Sequence, residues 1–230
     1  LERQPCGDET RILRCGGIVL ATGVWSEPIR LQVPGDSAPN VFSEYTEPTP
    51  FCGQDVLVIG GGNSALGAAL SLMEARAAVT LSMRRPPLDY RCGVRPFVKR
   101  NLDFAVNEGK INLHANTMVR EITADCAVLQ PVEYTGHEEL TEGSMADYRV
   151  AGEPYTVAVR FVFALLGHRP DAAFINGIMG LSLRPDGRPV CDLESWRLER
   201  PRMAVAGSLA DPSIDILLKI RDQARAAAAA

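Results

Sequence analysis

The stretch Val56-Leu57-Val58-Ile59-Gly60-Gly61-Gly62-Asn63-Ser64-Ala65 joins a short apolar run to three glycines and then to a segment rich in alanine. The spacing Gly60-x-Gly62-x-x-Ala65, placed after a strand and at the opening of a helix, is the setting that a dinucleotide pyrophosphate requires. Gly60 permits a tight turn, Gly62 removes the side chain where a pyrophosphate would approach the backbone, and Ala65 is small enough for helix to pack closely on sheet. Gly61, Asn63 and Ser64 complete the turn, where the N–H groups of the first helical turn and the positive end of the helix dipole favour a diphosphate. A glycine fingerprint by itself would serve equally well as a strand-to-helix turn with no ligand; strand, fingerprint, helix and second strand in that order favour the nucleotide.

The end of the second strand separates one dinucleotide from another. An NAD site places Asp or Glu about 20 residues past the first glycine, to hold the ribose 2′-hydroxyl. Here the chain reads Leu81-Ser82-Met83-Arg84-Arg85-Pro86, with no carboxylate. Arg84 and Arg85 can take a 2′-phosphate through charge-assisted, often bidentate hydrogen bonds, which points to NADPH over NADH. The alternative is a pair of solvated loop charges. Arg91 and Arg95 extend the basic patch.

These residues need a scaffold. Residues 55–59 read as a buried strand, 63–75 as a helix and 78–83 as a second strand, a parallel unit whose crossover chirality makes right-handed. A helix beginning near residue 95, with Pro96 tolerated in its first turn and Gly109 as its stop, leads to a strand over 110–114. Residues 118–122, 127–132 and 155–159 suit an antiparallel meander beside a parallel sheet, with the polar segment 133–152 between them. Residues 161–166 are again continuously apolar and end at Gly167-His168-Arg169. Upstream, residues 10–20 suggest two short strands, the second nearly all apolar and so buried on both faces, ending at Ala21-Thr22-Gly23. Residues 24–53, with Pro28, Pro34, Pro39, Pro48 and Pro50, read as irregular connection. Downstream, Arg184-Pro185-Asp186-Gly187-Arg188 reads as a hairpin turn, 203–206 as a buried strand, and a helix is expected from about residue 213.

Composition limits what such a chain can do. At 230 residues and 46% hydrophobic it can bury one large core or two modest ones. A net charge of -4, from 28 acidic and 24 basic residues, gives no general attraction to nucleic acid or an anionic membrane, so neither is an expected partner. No apolar run is long enough to span a bilayer and the first residues lack a secretion signal, so a cytoplasmic location is expected. Cys6, Cys15, Cys52, Cys92, Cys126 and Cys191 form no Cys-x-x-Cys pair, against zinc and against a local redox dithiol. Each reads as a buried or half-buried structural thiol. His114, His137 and His168 are too separated to suggest a metal set, and no metal is expected; His168 and Arg169 stand where a strand ends, a place a cofactor can approach.

Ala21-Thr22-Gly23, Pro34-Gly35, the fingerprint at 60–65, Arg84-Arg85 and Ala164-Leu165-Leu166-Gly167-His168-Arg169-Pro170-Asp171, in this order, resemble the flavoprotein disulfide reductases with two dinucleotide domains, the thioredoxin reductase-like superfamily. The finer detail of "APNVFSEYTEPTPFCGQDVLVIGGGNSALGAAL", "FVFALLGHRPD" and "VAGSLADPSIDILLKIRDQ" is closest to the bacillithiol disulfide reductase-like branch. The resemblance implies an α/β, Rossmann-like FAD/NAD(P)-binding fold in which an NADPH domain, residues 53–167, is inserted in a partial FAD domain made of residues 1–52 and 168–230. It implies that NADPH reduces FAD and that the flavin passes electrons to a small disulfide or related acceptor, with a homo-oligomer as a possible assembly. Carried over residue by residue, Gly60, Gly61, Gly62, Asn63, Ser64 and Ala65 would hold the NADPH pyrophosphate, Arg84 and Arg85 the 2′-phosphate, and Gly167 the nicotinamide side. Ala21, Thr22 and Gly23 would lie near the flavin, with Gly207 and Ser208 touching FAD through backbone where many relatives carry an aspartate.

Two departures accompany the resemblance. Thioredoxin reductases carry a redox Cys-x-x-Cys inside the NADPH domain, and here that span holds only Cys92 and Cys126, so direct thioredoxin reduction is put in doubt and no catalytic residue is assigned. The FAD fingerprint expected upstream of residue 1 is outside the chain, which therefore reads as a fragment. A truncated, non-catalytic NADPH-binding module and a flavin-dependent monooxygenase-like protein are the competing readings.

Overall fold

The computed structural model of the chain describes residues 14–84, 94–135 and 148–210. In chain order they form β1 (Ile18–Leu20), β2 (Glu27–Pro28), β3 (Val41–Phe42), β4 (Asp55–Ile59), α1 (Asn63–Glu74), β5 (Ala78–Met83) and α2 (Pro96–Asn107). There follow β6 (Ile111–Ala115), β7 (Thr117–Ile122), β8 (Cys126–Tyr134), β9 (Tyr148–Val150), β10 (Tyr155–Ala158), β11 (Phe161–Ala164), β12 (His168–Arg169) and β13 (Met203–Val205). The chain divides into two compact units, a continuous one, Pro28–His168, that interrupts a split one, Leu1–Glu27 with Arg169–Ala230.

In the continuous unit the parallel sheet runs β3-β11-β4-β5-β6. Counted from β4, the inner order is 3-2-1-4, that of a doubly wound dinucleotide fold. β4 reads as continuously apolar because both of its faces are covered. Val56 and Val58 share a core with Ala65, Ala69 and Leu72 of α1 and Leu102 of α2. Leu57 and Ile59 share another with Val119, Ile122, Ala127 and Leu129, on the antiparallel β7 and β8. Helices, parallel sheet and meander thus form three layers. Fully burying Leu57 or Leu72 contributes on the order of 1.5–3 kcal/mol each.

Local signals set the helix ends. α1 presents Ala65, Ala68 and Ala69 on its buried face, small enough for close approach to the sheet. α2 starts at Pro96, whose missing N–H costs nothing in the first turn. It stops at Gly109, which takes the left-handed conformation (φ 67°) while the Lys110 N–H bonds back to the Ala105 carbonyl at 2.9 Å.

Several expectations need correction. β1 is not buried on both faces: Ile18 is 41% and Val19 48% exposed, and only Leu20 is buried, at 5%. The reason is that among the described residues β1 pairs only with β13, in a two-stranded parallel sheet, and the core of the split unit reaches it through Leu20. The stretch 24–53 is not wholly irregular, since β3 forms the sheet edge, where Phe42, Phe51, Phe161 and Phe163 pack ring against ring. β9 lies inside the polar segment and pairs with β8. Cys15 and Cys52 are exposed rather than buried. Ala173–Ile178 forms a π-helical turn that the sequence did not announce. The strand expected at the start of 10–20 lies largely, and the helix expected from residue 213 wholly, outside the described residues, as do Cys6, Cys92 and His137. Among the described residues no helix is long and apolar enough to cross a membrane.

Candidate functional site

The glycine turn stands at the C-terminal end of β4, next to the point where the strand order reverses between β4 and β11, the usual ligand crevice of an open α/β sheet. Its Gly60 N–H bonds to the Ser82 carbonyl of β5 at 3.1 Å, and the Ile59 carbonyl accepts the Leu165 N–H just past β11 at 2.9 Å. Only glycine fits at Gly60. A Cβ there would come within 2.5 Å of the Leu165 carbonyl oxygen and 2.9 Å of Ala65 Cβ, at a φ of 139°. At Gly62 the opposite holds, for a Cβ would meet none of the described residues within 4 Å. Gly62 is the N-cap of α1, among the described residues no side chain caps that turn, and Ser64 is exposed beside it. An open approach to first-turn N–H groups, framed by a turn that admits no side chain, fits a dinucleotide diphosphate.

Asn63 does something the fingerprint alone does not specify. Its Oδ1 accepts the Arg95 N–H at 2.8 Å, and Arg95 is the N-cap of α2. The positive ends of two twelve-residue helices are therefore tied together beside the turn. Arg84 follows the last residue of β5, exposed, with its guanidinium carbon 5.5 Å from the centre of the Tyr148 ring. Arg85 and Arg91 lie outside the described residues. Gly167 follows β11 in the same unit, and its carbonyl accepts the Ile29 N–H at 3.0 Å.

The split unit has its own junction. β1 and β13 run parallel in the register Ile18↔Met203, Val19↔Ala204, Leu20↔Val205, and the Ala206 N–H donates to the Leu20 carbonyl at 2.9 Å. Ala21, Thr22 and Gly23 thus leave the sheet alongside Gly207 and Ser208, and a Cβ on Gly23 would lie 3.6 Å from Ser208 Oγ. Beneath them is Arg188, 7% exposed, which donates from Nε to the Ser208 carbonyl at 3.2 Å and from a terminal nitrogen to Asp186 at 2.5 Å. Burial works to raise the Asp186 carboxyl, but bonds from the Arg188 backbone and side chain, with the charges of Arg188 and Arg184, outweigh it and hold the group below its ordinary value. The turn 184–188 does close as a hairpin, through Arg184 N–H to the Arg188 carbonyl at 2.7 Å.

Two participants escaped sequence reading. Tyr148 carries no motif and reaches Arg84 from a distant strand. Arg188 could have been suspected, as the cation that closes a hairpin one residue after a glycine. His114, one of the three histidines too separated to suggest a metal set, bonds through Nδ1 to Tyr155 Oη at 2.7 Å, while its Nε2 is buried without a hydrogen-bond partner among the described residues.

Residues 8–207 match the family model described as pyridine nucleotide-disulphide oxidoreductase. The bacilliredoxin reductase of Bacillus subtilis is 30% identical over 193 residues, 84% of this chain and 53% of that protein. The bacillithiol disulfide reductase structure from Staphylococcus aureus superposes with a TM-score of 0.75 at 28% identity, over 93% of this chain and 61% of that one. The thioredoxin reductase structure from Lactococcus lactis shares the fold, with a TM-score of 0.69 at 24% identity. The chain thus spans between half and two thirds of the length of these relatives. Enzymes of this kind are oxidoreductases that use FAD and NADPH. With residues 8–207 matched and the doubly wound sheet in place, the chain belongs to the pyridine nucleotide-disulphide oxidoreductase family, on its thioredoxin reductase-like side.

Proposed function

We propose that this chain is the NADPH-binding part, with a portion of the FAD-binding part, of a flavoprotein that reduces a small disulfide or related acceptor. The observation that carries the reading is the β4 turn, where Gly60 admits no side chain, Gly62 opens onto the first turn of α1, and Arg84 stands at the end of β5 with no carboxylate in the NAD position. The names of the bacilliredoxin and bacillithiol disulfide reductases support the choice of acceptor class.

In this proposal residues 60–65 hold the pyrophosphate, Arg84 and Arg85 take the 2′-phosphate, and Gly167 borders the nicotinamide side. Ala21, Thr22, Gly23, Gly207 and Ser208 offer backbone to the flavin, with Arg188 fixing the Ser208 carbonyl. The bound cofactors supply hydride transfer from nicotinamide to flavin, while the protein orients them and sets their electrostatics.

Titration calorimetry on the purified chain tests this. NADPH should bind more tightly than NADH, and Arg84→Ala with Arg85→Ala should weaken NADPH by roughly 1.5–3 kcal/mol, the scale of a charged hydrogen bond, with NADH almost unchanged. Equal binding of NADH and NADPH would remove the arginine assignment. A visible spectrum tests the flavin half: a yellow protein bleached by NADPH without oxygen supports it, and a colourless NADPH-binding protein favours a nucleotide-binding module.

A further inference from the structure

We infer that Tyr148 is a positioning residue that sets the preference for a 2′-phosphate, by holding the Arg84 guanidinium against its ring. The inference rests on the NADPH reading of Arg84 and extends it to a residue of the meander. Arg84 is exposed, and an exposed arginine at a strand end samples many rotamers, all but a few of which must be given up when it grips an anion. Here its guanidinium carbon lies over the Tyr148 ring, 5.5 Å from the centroid. A cation–π contact restricts the side chain without pairing its N–H donors with an oxygen, which leaves them for a phosphate.

The ring is itself held. Tyr148 begins β9 and stands opposite Tyr134 of β8 in the antiparallel register, with ring centroids 5.3 Å apart and planes inclined at 55°. The next pair, Glu133 and Arg149, is joined by an ion pair that ties the same two strands. Successive pairs on a strand alternate faces, so the tyrosines meet on one face of the hairpin and the ion pair on the other. Arg84 sits beside one of two half-buried tyrosines paired across two strands. A ribose without the 2′-phosphate offers the clamp no anion, so the clamp bears on the choice between NADPH and NADH more than on nucleotide binding in general.

The test is calorimetric binding of NADPH and NADH to the chain and to Tyr148→Leu, Tyr148→Phe, Arg84→Ala and the Arg84→Ala, Tyr148→Leu double variant. Tyr148→Leu should weaken NADPH roughly fivefold, the scale of an exposed cation–π contact, with NADH unchanged. Tyr148→Phe keeps the ring and should bind like the parent. In the Arg84→Ala background the leucine should add nothing. A Tyr148→Leu variant with parental NADPH affinity, or one that weakens both nucleotides alike, overturns the inference while leaving Arg84 in place. Should Arg84→Ala itself bind NADPH as the parent does, the underlying reading falls and this one with it.

Discussion

The two junctions between a short apolar strand and a glycine-bearing turn, β4 at Gly60 and β1 at Gly23, start alike in sequence and differ in what surrounds them. β4 has β11 and β5 on its flanks, helices over one face and the meander over the other, and Leu57 is fully buried. β1 has β13 on one flank, and Val19 is about half exposed. An apolar run therefore records that a strand tolerates cover, while its neighbours decide whether cover arrives. The turns differ in the same way. The Gly60 turn is bound to the strands on both sides of it, whereas the Ser208 side of the other junction leans on a buried arginine.

This contrast is open to attack by substitution. Leu57→Ala should destabilise the protein by about 2–5 kcal/mol, the range for a buried leucine, and Val19→Ala by no more than about 0.5 kcal/mol, as for an exposed site. Equal losses in thermal melting would mean that β1 is as well covered as β4. A smaller but sharper effect is expected inside the turn. Gly60→Ala should cost about 1–3 kcal/mol, since the new methyl meets backbone at a strained φ. Gly62→Ala should melt within about 0.5 kcal/mol of the parent yet lose NADPH affinity, because in the proposed site its methyl enters the space left for the pyrophosphate. If the two glycines behave alike, steric closure and ligand approach are not the separate roles proposed for them.

The smallest effect concerns His114. Burial lowers its folded pKa below the ordinary 6.5 of the unfolded chain, so the unfolded state takes up its proton first as pH falls. The stability linked to the neutral ring is complete above about pH 6.5 and declines as the pH drops through that value towards the depressed folded one. Melting temperature compared at pH 7.5 and 5.5 should fall further for the parent than for His114→Asn, which does not titrate. Parallel profiles would show that the imidazole is not the sensitive group.

What could be read from sequence follows from how local each signal is. Residues 55–59, 63–75 and 78–83 were expected and Asp55–Ile59, Asn63–Glu74 and Ala78–Met83 are found, because apolar period, glycine turn and helix-forming alanines agree there. β3 and β9 were missed because two or three residues carry no period, and each is held from outside, β3 by β11 and stacked phenylalanines, β9 by β8. The cofactor roles given to Gly60 and Arg84 are the proposal, but the strand, glycine turn and helix that place Gly60, and the strand end that places Arg84, were legible because their signals are local in the chain. Tyr148 was not, since nothing near it in the chain says that β9 will fold back beside the end of β5.

The bond between the Ile29 N–H and the Gly167 carbonyl has a consequence for the order of assembly. β1 and β13 cannot pair until the whole of Pro28–His168 has been looped out between them, and closing so long a flexible loop carries a substantial entropic penalty. Once the continuous unit has folded, that 3.0 Å bond holds its two ends side by side, and the loop entropy has already been lost in forming the unit's own core. The split unit then joins strands whose connection is effectively short, so it should fold second and open first.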